Sequence, residues 1–187
     1  FEHGLHNLIH KATEYKVLNK GNGTLVLSFT VESQAPNAAR IKGGTSSGKN
    51  SIEELTDRKF GSNDFKFVTN QIWTVYPDGS IELQSSITSN RSSLVLPRLG
   101  YVMKVPQQYS NFTYYGRGPI DNYADRKSGQ FIEQYTNSVA GEFVNFPKPQ
   151  DMGNHEDVRW CALTNQAGNG AVFVATDRLS ASALQYS

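Results

Sequence analysis

Apolar and polar side chains alternate along much of this chain with the period of a strand. Leu25, Leu27, Phe29 and Val31 fall on one side of a segment whose other side carries Thr24, Ser28, Thr30 and Glu32. That pattern predicts a strand with one buried and one wet face. Phe65, Phe67, Trp73 and Val75 lead into Tyr76-Pro77-Asp78-Gly79-Ser80, and Ile81, Leu83, Ser85 and Ile87 alternate with polar residues on the return. The turn residues and the double alternation predict a hairpin. A second hairpin is expected from Val158, Trp160 and Ala162 through a turn at Asn165–Gly170 into Ala171-Val172-Phe173-Val174-Ala175. Leu94–Val105 reads as a further strand, and Tyr114 to Asn154 as loop-rich.

Two stretches depart from this pattern. Leu5, Leu8, Ile9 and Ala12 have the spacing of a short helix. From about residue 34 to 64 the periodicity dissolves into Gly, Ser, Asn and Pro, with one helical turn expected at Ser51–Leu55. This is expected to be a flexible excursion from a single domain spanning 1–187, because the same style of alternation resumes after it. Strands joined by hairpin-length turns, almost without helix, predict an all-β antiparallel sandwich. Phe1 in place of an initiator Met, and a last strand that stops near Ser187 with no closing turn, are expected of a piece whose sheet is truncated at its C-terminus.

The chain has 187 residues, enough to bury roughly 70% of its unfolded surface without covalent staples. Nine Tyr, ten Phe and 16 Gly fit the strand-rich reading. The 18 Lys and Arg against 17 Asp and Glu remove the electrostatic case for nucleic acid or an anionic membrane surface. No run approaches the ~18 apolar residues of a spanning helix. A single cysteine, Cys161, excludes an internal disulfide framework and leaves cytoplasm and periplasm equally open.

Several motifs compete for a function and lose. Gly43-Gly44-Thr45-Ser46-Ser47-Gly48-Lys49-Asn50 nearly spells a phosphate loop, but Asn50 stands where a hydroxyl must reach magnesium. His6 and His10 are spaced to share a metal, yet no carboxylate ligand accompanies them. Asp121 with Asp125, or Glu156 with Asp157, would supply the two carboxylates of a glycosidase. The basic neighbours favour structural ion pairs instead: Asp125 with Arg126 or Arg117, and Asp157 with Arg159. No Ser-His-Asp nucleophile signature is present.

The segment Tyr114-Tyr115-Gly116-Arg117-Gly118-Pro119-Ile120-Asp121-Asn122-Tyr123-Ala124-Asp125-Arg126 is more specific than any of these. Its glycines permit close backbone approach and its carboxylates can hold its arginines. It resembles the Y-x-G-x-G-P-x-E-N-Y-x-D-R signature of the C-terminal, small-chain region of family 2 glycoside hydrolase β-galactosidases, with Asp121 in place of the commoner glutamate. Leu96-Pro97-Arg98-Leu99-Gly100 is similar to that family's L-P-R-x-G strand. Pro149-Gln150-Asp151-Met152-Gly153-Asn154-His155-Glu156-Asp157-Val158-Arg159-Trp160 is similar to its P-Q-E-N-G-N-x-x-D-V-R-W block, with Met152 where Asn is common. Three blocks in order extend the resemblance across nearly the whole chain.

The resemblance implies a large antiparallel sandwich related to galactose mutarotases, packed beside a catalytic (β/α)₈ barrel. That barrel would carry both catalytic glutamates and any Mg²⁺ or Na⁺, so no catalytic residue, metal or cofactor is expected in this chain. The parent enzyme would cleave terminal non-reducing β-D-galactosides with retention and assemble as a homo-oligomer. Asn154, His155 and Tyr115 are the candidates for the wall of the sugar pocket. Gly116, Arg117, Gly118, Pro119, Asn122, Tyr123, Asp125, Arg126, Gly153, Asp157, Arg159 and Trp160 are expected to hold the motif together. Two rival functions remain: a carbohydrate-binding module using Tyr114, Tyr115, Tyr123 and His155, and a stand-alone mutarotase using His155 with Glu156.

Overall fold

The structure is a computed structural model and describes residues 3–42, 51–96, 98–147 and 150–185. Contacts gather the chain into two compact units, Phe1–Leu99 and Gly100–Ser187. Every strand pairing is antiparallel, and the described residues contain no α-helix. The all-β class read from the sequence therefore holds, and the antiparallel sheets are consistent with a β-sandwich.

In the first unit, β1 (Ile9–Asn19), β2 (Leu25–Gln34), β5 (Phe67–Val75) and β6 (Ile81–Ser89) form a sheet in the order β1-β2-β5-β6. The β5–β6 hairpin closes where expected: the Tyr76 N–H donates to the Ser80 carbonyl at 2.9 Å and Gly79 adopts φ +86°. Such a φ is costly for a residue with a Cβ, which is why the turn needs glycine there. Val17, Leu27, Trp73 and Leu83 align across all four strands. β2 differs from its expected one-sided burial. It lies between two neighbours, so cross-strand side chains partly cover both of its faces, and Val26 and Ser33 are its buried residues.

The expected N-terminal helix is absent. Residues 3–7 form a turn closed by the Asn7 N–H on the Gly4 carbonyl at 2.9 Å, and Ile9 already belongs to β1. Pairing with β2 satisfies the backbone of β1, whereas a helix here would have had a single short apolar stripe to bury. The expected helical turn at Ser51–Leu55 is likewise strand: β4 (Ser51–Lys59) pairs with β3 (Asn37–Lys42). The near-phosphate loop at residues 43–50 lies outside the described residues. Leu94–Val105 forms no strand among its described residues, and Val95, Val102 and Met103 are exposed. Pro97 and Pro106 each lack the N–H that a ladder requires.

The second unit is a sheet in the order β10-β9-β7-β8, from β7 (Asn111–Gly118), β8 (Phe131–Ser138), β9 (Asn154–Thr164) and β10 (Gly170–Ser182). The strand β8 falls inside the stretch read as loop. Phe112, Tyr114, Val158, Cys161 and Ala183 form its core, with Tyr135, Leu163 and Phe173 packed against them. The β9–β10 turn at Asn165–Gly170 is as expected, its Asn165 Oδ1 accepting the N–H groups of Ala167 and Asn169 at 3.0 Å each. Val158 and Trp160 do not share a buried face as the alternation predicted. The buried positions of β9 are His155, Val158, Cys161 and Ala162, which do not alternate. Asp157 adopts φ 55° and the register with β10 shifts on either side of Leu179, so β9 carries irregularities that break the two-residue period.

Candidate functional site

The Tyr114–Arg126 motif begins on β7, next to the centre of the sheet. Alternation puts Tyr114 in the core and leaves Tyr115 exposed. Gly116 lies against β9 so closely that a Cβ there would sit 2.7 Å from Val158 Cγ2 and 2.9 Å from its Cα. A Cβ on Gly118 would strike the Tyr114 hydroxyl and come within 2.8 Å of the Tyr135 ring. Both glycines are thus required by close approach rather than by turn geometry.

Past β7 the loop folds around Asn122, whose side chain is fully buried. Its Nδ2 donates to the carbonyls of Arg117 (2.8 Å) and Ile120 (3.0 Å) and to Gln130 Oε1 (3.0 Å). Its Oδ1 accepts the Glu156 N–H at 2.8 Å. Asn154 completes the clasp: its carbonyl accepts the Asn122 N–H and its Nδ2 donates to the Asn122 carbonyl, each at 2.7 Å. One amide therefore fixes the loop to the start of β9.

Charges surround this clasp. Arg117 donates through Nε and Nη2 to Asp157 Oδ2, both at 2.8 Å, and through Nη1 to the Gln130 carbonyl at 3.0 Å. Lys127 reaches Glu156 at 3.2 Å, and Arg178 lies 3.7 Å from Asp157 Oδ1. Arg117 bonded to Asp157, with Lys127 and Arg178 nearby, holds that carboxyl below its ordinary range despite burial. Burial pushes Glu156 up, but the Ser180 hydroxyl, the Asn154 amide and the Lys127 ammonium outweigh it and the net shift is downward. Both groups are held as carboxylates, the wrong state for a general acid. Among the described residues Asp157 is also the non-glycine residue with positive φ, a conformation that costs about 1–3 kcal/mol and that its ion pairs hold in place.

His155 is enclosed. Its ring stacks on Tyr114 at 4.0 Å, its Nε2 meets Glu142 Oε2 at 2.6 Å and its Nδ1 lies 3.3 Å from the Arg117 carbonyl. Glu142 closes a short 3-10 turn (Val139–Glu142) and its Oε1 accepts Asn137 Nδ2 at 2.8 Å. Glu142 also sets the backbone of Gly153, which has φ +64° and whose Cβ would fall 2.9 Å from the Glu142 carbonyl.

Several expected pairings are replaced by others. Asp125 is exposed and holds neither Arg126 nor Arg117: Arg126 pairs with Asp121 at 2.9 Å, and Arg117 with Asp157. Arg159 gives Nη1 to the Asp157 carbonyl at 2.6 Å instead of the carboxylate, and its guanidinium lies 5.7 Å from the Tyr115 ring centre. His155 faces Glu142, so the His155–Glu156 pair of a mutarotase does not form. Tyr114 is as enclosed as His155, whereas Tyr115 is open. Tyr123 sits beneath the Arg126 guanidinium, 5.4 Å from the ring centre. Among the described residues the Tyr123 hydroxyl and Asp121 Oδ2 are buried without a hydrogen-bond partner. His10 is bonded to Ser33 Oγ at 2.7 Å.

Residues 11–187 match the family described as beta galactosidase small chain. The chain belongs to that family. Over 115 residues, 62% of this chain, it is 32% identical to a β-galactosidase of Priestia megaterium, and this match covers 11% of that protein. A β-galactosidase of Lactobacillus delbrueckii subsp. bulgaricus is 33% identical over 110 residues, 58% of this chain and 11% of the relative. One of Kluyveromyces lactis is 31% identical over 112 residues, with the same coverage of 58% and 11%. The matched stretch thus spans about a tenth of these relatives' length.

Within this small chain, sequence reasoning found the motif but missed the side chains that brace it: Gln130, Lys127, Glu142, Asn137 and Arg178. Phe131, Ile132 and Tyr135 carry enough strand propensity to have revealed β8, and with it Asn137. The others are polar residues in loops or on exposed strand faces, and nothing in their spacing marks them.

Proposed function

We propose that this small-chain component associates with the catalytic part of a parent β-galactosidase. We propose that it is the non-catalytic part: a scaffold that walls the cleft of an enzyme hydrolysing terminal non-reducing β-D-galactosides. The acid/base and nucleophile then come from the parent's barrel, and assembly of the homo-oligomeric parent is aided by this region. The observation that carries the reading is the commitment of four acids in and beside the motif. Asp121, Glu142, Glu156 and Asp157 are each bonded to a cation, a histidine or amides of the same unit. Glu156 and Asp157 share the Lys127 ammonium, at 3.2 and 3.9 Å, which holds both as carboxylates rather than as an acid and its nucleophile. Any Mg²⁺ or Na⁺ would be held by the barrel. Among the described residues no group of three or more His, Cys, Asp or Glu side chains converges.

In this scaffold Asn154, His155 and Glu142 position the loop, and Tyr115 is the pocket-wall candidate left open. The test is turnover. The 187-residue chain, purified free of host enzyme, is expected to leave a chromogenic β-galactoside untouched, while the parent protein cleaves it. Hydrolysis by the chain alone overturns the scaffold reading.

A further inference from the structure

Asparagine is followed by glycine twice in this chain, as Asn22-Gly23 between β1 and β2 and as Asn169-Gly170 at the entry to β10. Such a pair is prone to lose ammonia, because glycine has no Cβ to keep its main-chain nitrogen away from the preceding side-chain carbonyl. By sequence the two pairs are alike. Their surroundings differ.

Asn22 and Gly23 are exposed, and among the described residues no main-chain hydrogen bond uses either. The turn is closed outside them, by the Lys20 N–H on the Thr24 carbonyl at 3.1 Å. Their peptide can therefore change shape without opening the ladder of β1 and β2. The Asn22 side chain folds back over the peptide that follows it, its Oδ1 accepting the Thr24 N–H at 3.1 Å. A donor thus already faces the oxygen on which negative charge develops when the Gly23 nitrogen attacks. Asn169 is also exposed, but its main chain is held on both sides. Its N–H donates to Asn165 Oδ1 at 3.0 Å, and its carbonyl accepts the Asn165 N–H at 2.8 Å. Gly170 belongs to β10 and lies against β9, where a Cβ would come 2.8 Å from Thr164 Cα. Closing a ring at Asn169 requires that turn to open first.

We propose that Asn22 is a site of spontaneous deamidation, at which the β1–β2 turn becomes aspartate and isoaspartate while Asn169 is spared. The Gly23 main-chain nitrogen gives its proton to a solvent base and bonds to Asn22 Cγ. The electron pair placed on Oδ1 then re-forms the carbonyl and expels Nδ2, which takes a proton from solvent and leaves as ammonia. Water opens the resulting succinimide at either carbonyl. Cleavage of the new bond between nitrogen and Cγ gives aspartate, and cleavage of the original bond to Gly23 gives isoaspartate. The sum is one water consumed and one ammonia released, with nothing oxidised or reduced. Either product adds a carboxylate, taking the formal net charge from +1 to zero, and isoaspartate also inserts a methylene into the turn.

Peptide mapping by mass spectrometry of the 187-residue chain, aged in mildly alkaline buffer, tests the proposal. In the native chain the Asn22 peptide is expected to convert at least about tenfold faster than the Asn169 peptide, and in urea the two are expected to convert at equal rates. Asn165→Ala removes the oxygen that holds the Asn169 N–H, and at unchanged circular dichroism it is expected to bring Asn169 to within about threefold of Asn22. Asn22→Gln is expected to abolish the acidic variant seen on ion exchange, since the longer side chain must close a larger ring. Equal rates in the native chain, faster conversion at Asn169, or a preference for Asn22 that persists in urea each overturns the proposal. An Asn169 that stays as slow in folded Asn165→Ala overturns it as well.

Discussion

Removing the Asn122 side chain is the sharpest perturbation of the site. Asn122→Ala deletes bonds to Arg117, Ile120, Gln130 and Glu156, at 2.8, 3.0, 3.0 and 2.8 Å. A protein hydrogen bond contributes about 1 kcal/mol net, and a buried group left unpaired costs more. Four bonds give about 4 kcal/mol. Water entering the vacated space would recover part of that, so the expected loss is about 2–4 kcal/mol. Urea unfolding is the assay, in a Trp73→Phe background so that Trp160 alone reports the second unit. Asn7→Ala serves as the control, because its side chain makes one exposed bond to Glu54 and should cost under about 0.5 kcal/mol. If Asn122→Ala lowers stability by less than about 1 kcal/mol at unchanged m-value, the loop does not depend on this amide and the clasp argument fails.

Asp125→Ala is expected to be nearly neutral in the same assay. Asp121→Ala should cost no more than about 1 kcal/mol because Arg126 is 51% exposed, and an Asp125 effect larger than the Asp121 effect would reverse the pairing described. Gly116→Ala should destabilise through collision with Val158, read as a lowered Tm with the first unit's transition unmoved. The depressed Asp157 and Glu156 carboxyls make the second unit acid-sensitive. Their unfolded forms bind protons first, so their stabilisation is full above about pH 4.5, the ordinary Glu value, and is lost as pH falls through the lower folded values. Asp157→Asn should flatten that acid limb of the stability curve; an unaltered limb would sink the assignment. Burial raises the Cys161 thiol to about 11, so alkylation at neutral pH is expected only after unfolding, and rapid labelling of the native chain would contradict the described core.

Some of this was legible in the sequence because local chemistry determined it. Tyr76-Pro77-Asp78-Gly79-Ser80 dictates its turn whatever lies around it, and the hairpin follows. The glycines of the motif announced a close approach, and Gly116 and Gly118 meet Val158 and Tyr114 as that reading required. Ion pairing is different in kind. Arg117 chooses Asp157, 40 residues away, over Asp125, eight away, because β7 pairs with β9 while the loop carries Asp125 into solvent. Sequence proximity has no say once register brings distant residues together. The same holds for the N-terminus: Leu5, Leu8, Ile9 and Ala12 have helical spacing, but the ladder offered by β2 outweighs that preference. The enclosure of His155 is not legible in the spacing, because its partner, Glu142, sits in a turn with no pattern of its own.

The left-handed kink at Asp157 sets a rule for how this protein can vary. It lies between His155 and Val158, which both face inward though three residues apart. Downstream of it Cys161 faces the interior with Tyr114, while Trp160 lies opposite Tyr115 outside. Losing a single residue there would transpose inside and outside for the rest of the strand, since strand side chains invert with each step. Length changes in homologues should therefore avoid the stretch between His155 and Cys161 and collect in the turn beyond Thr164, where a residue more or less alters no parity.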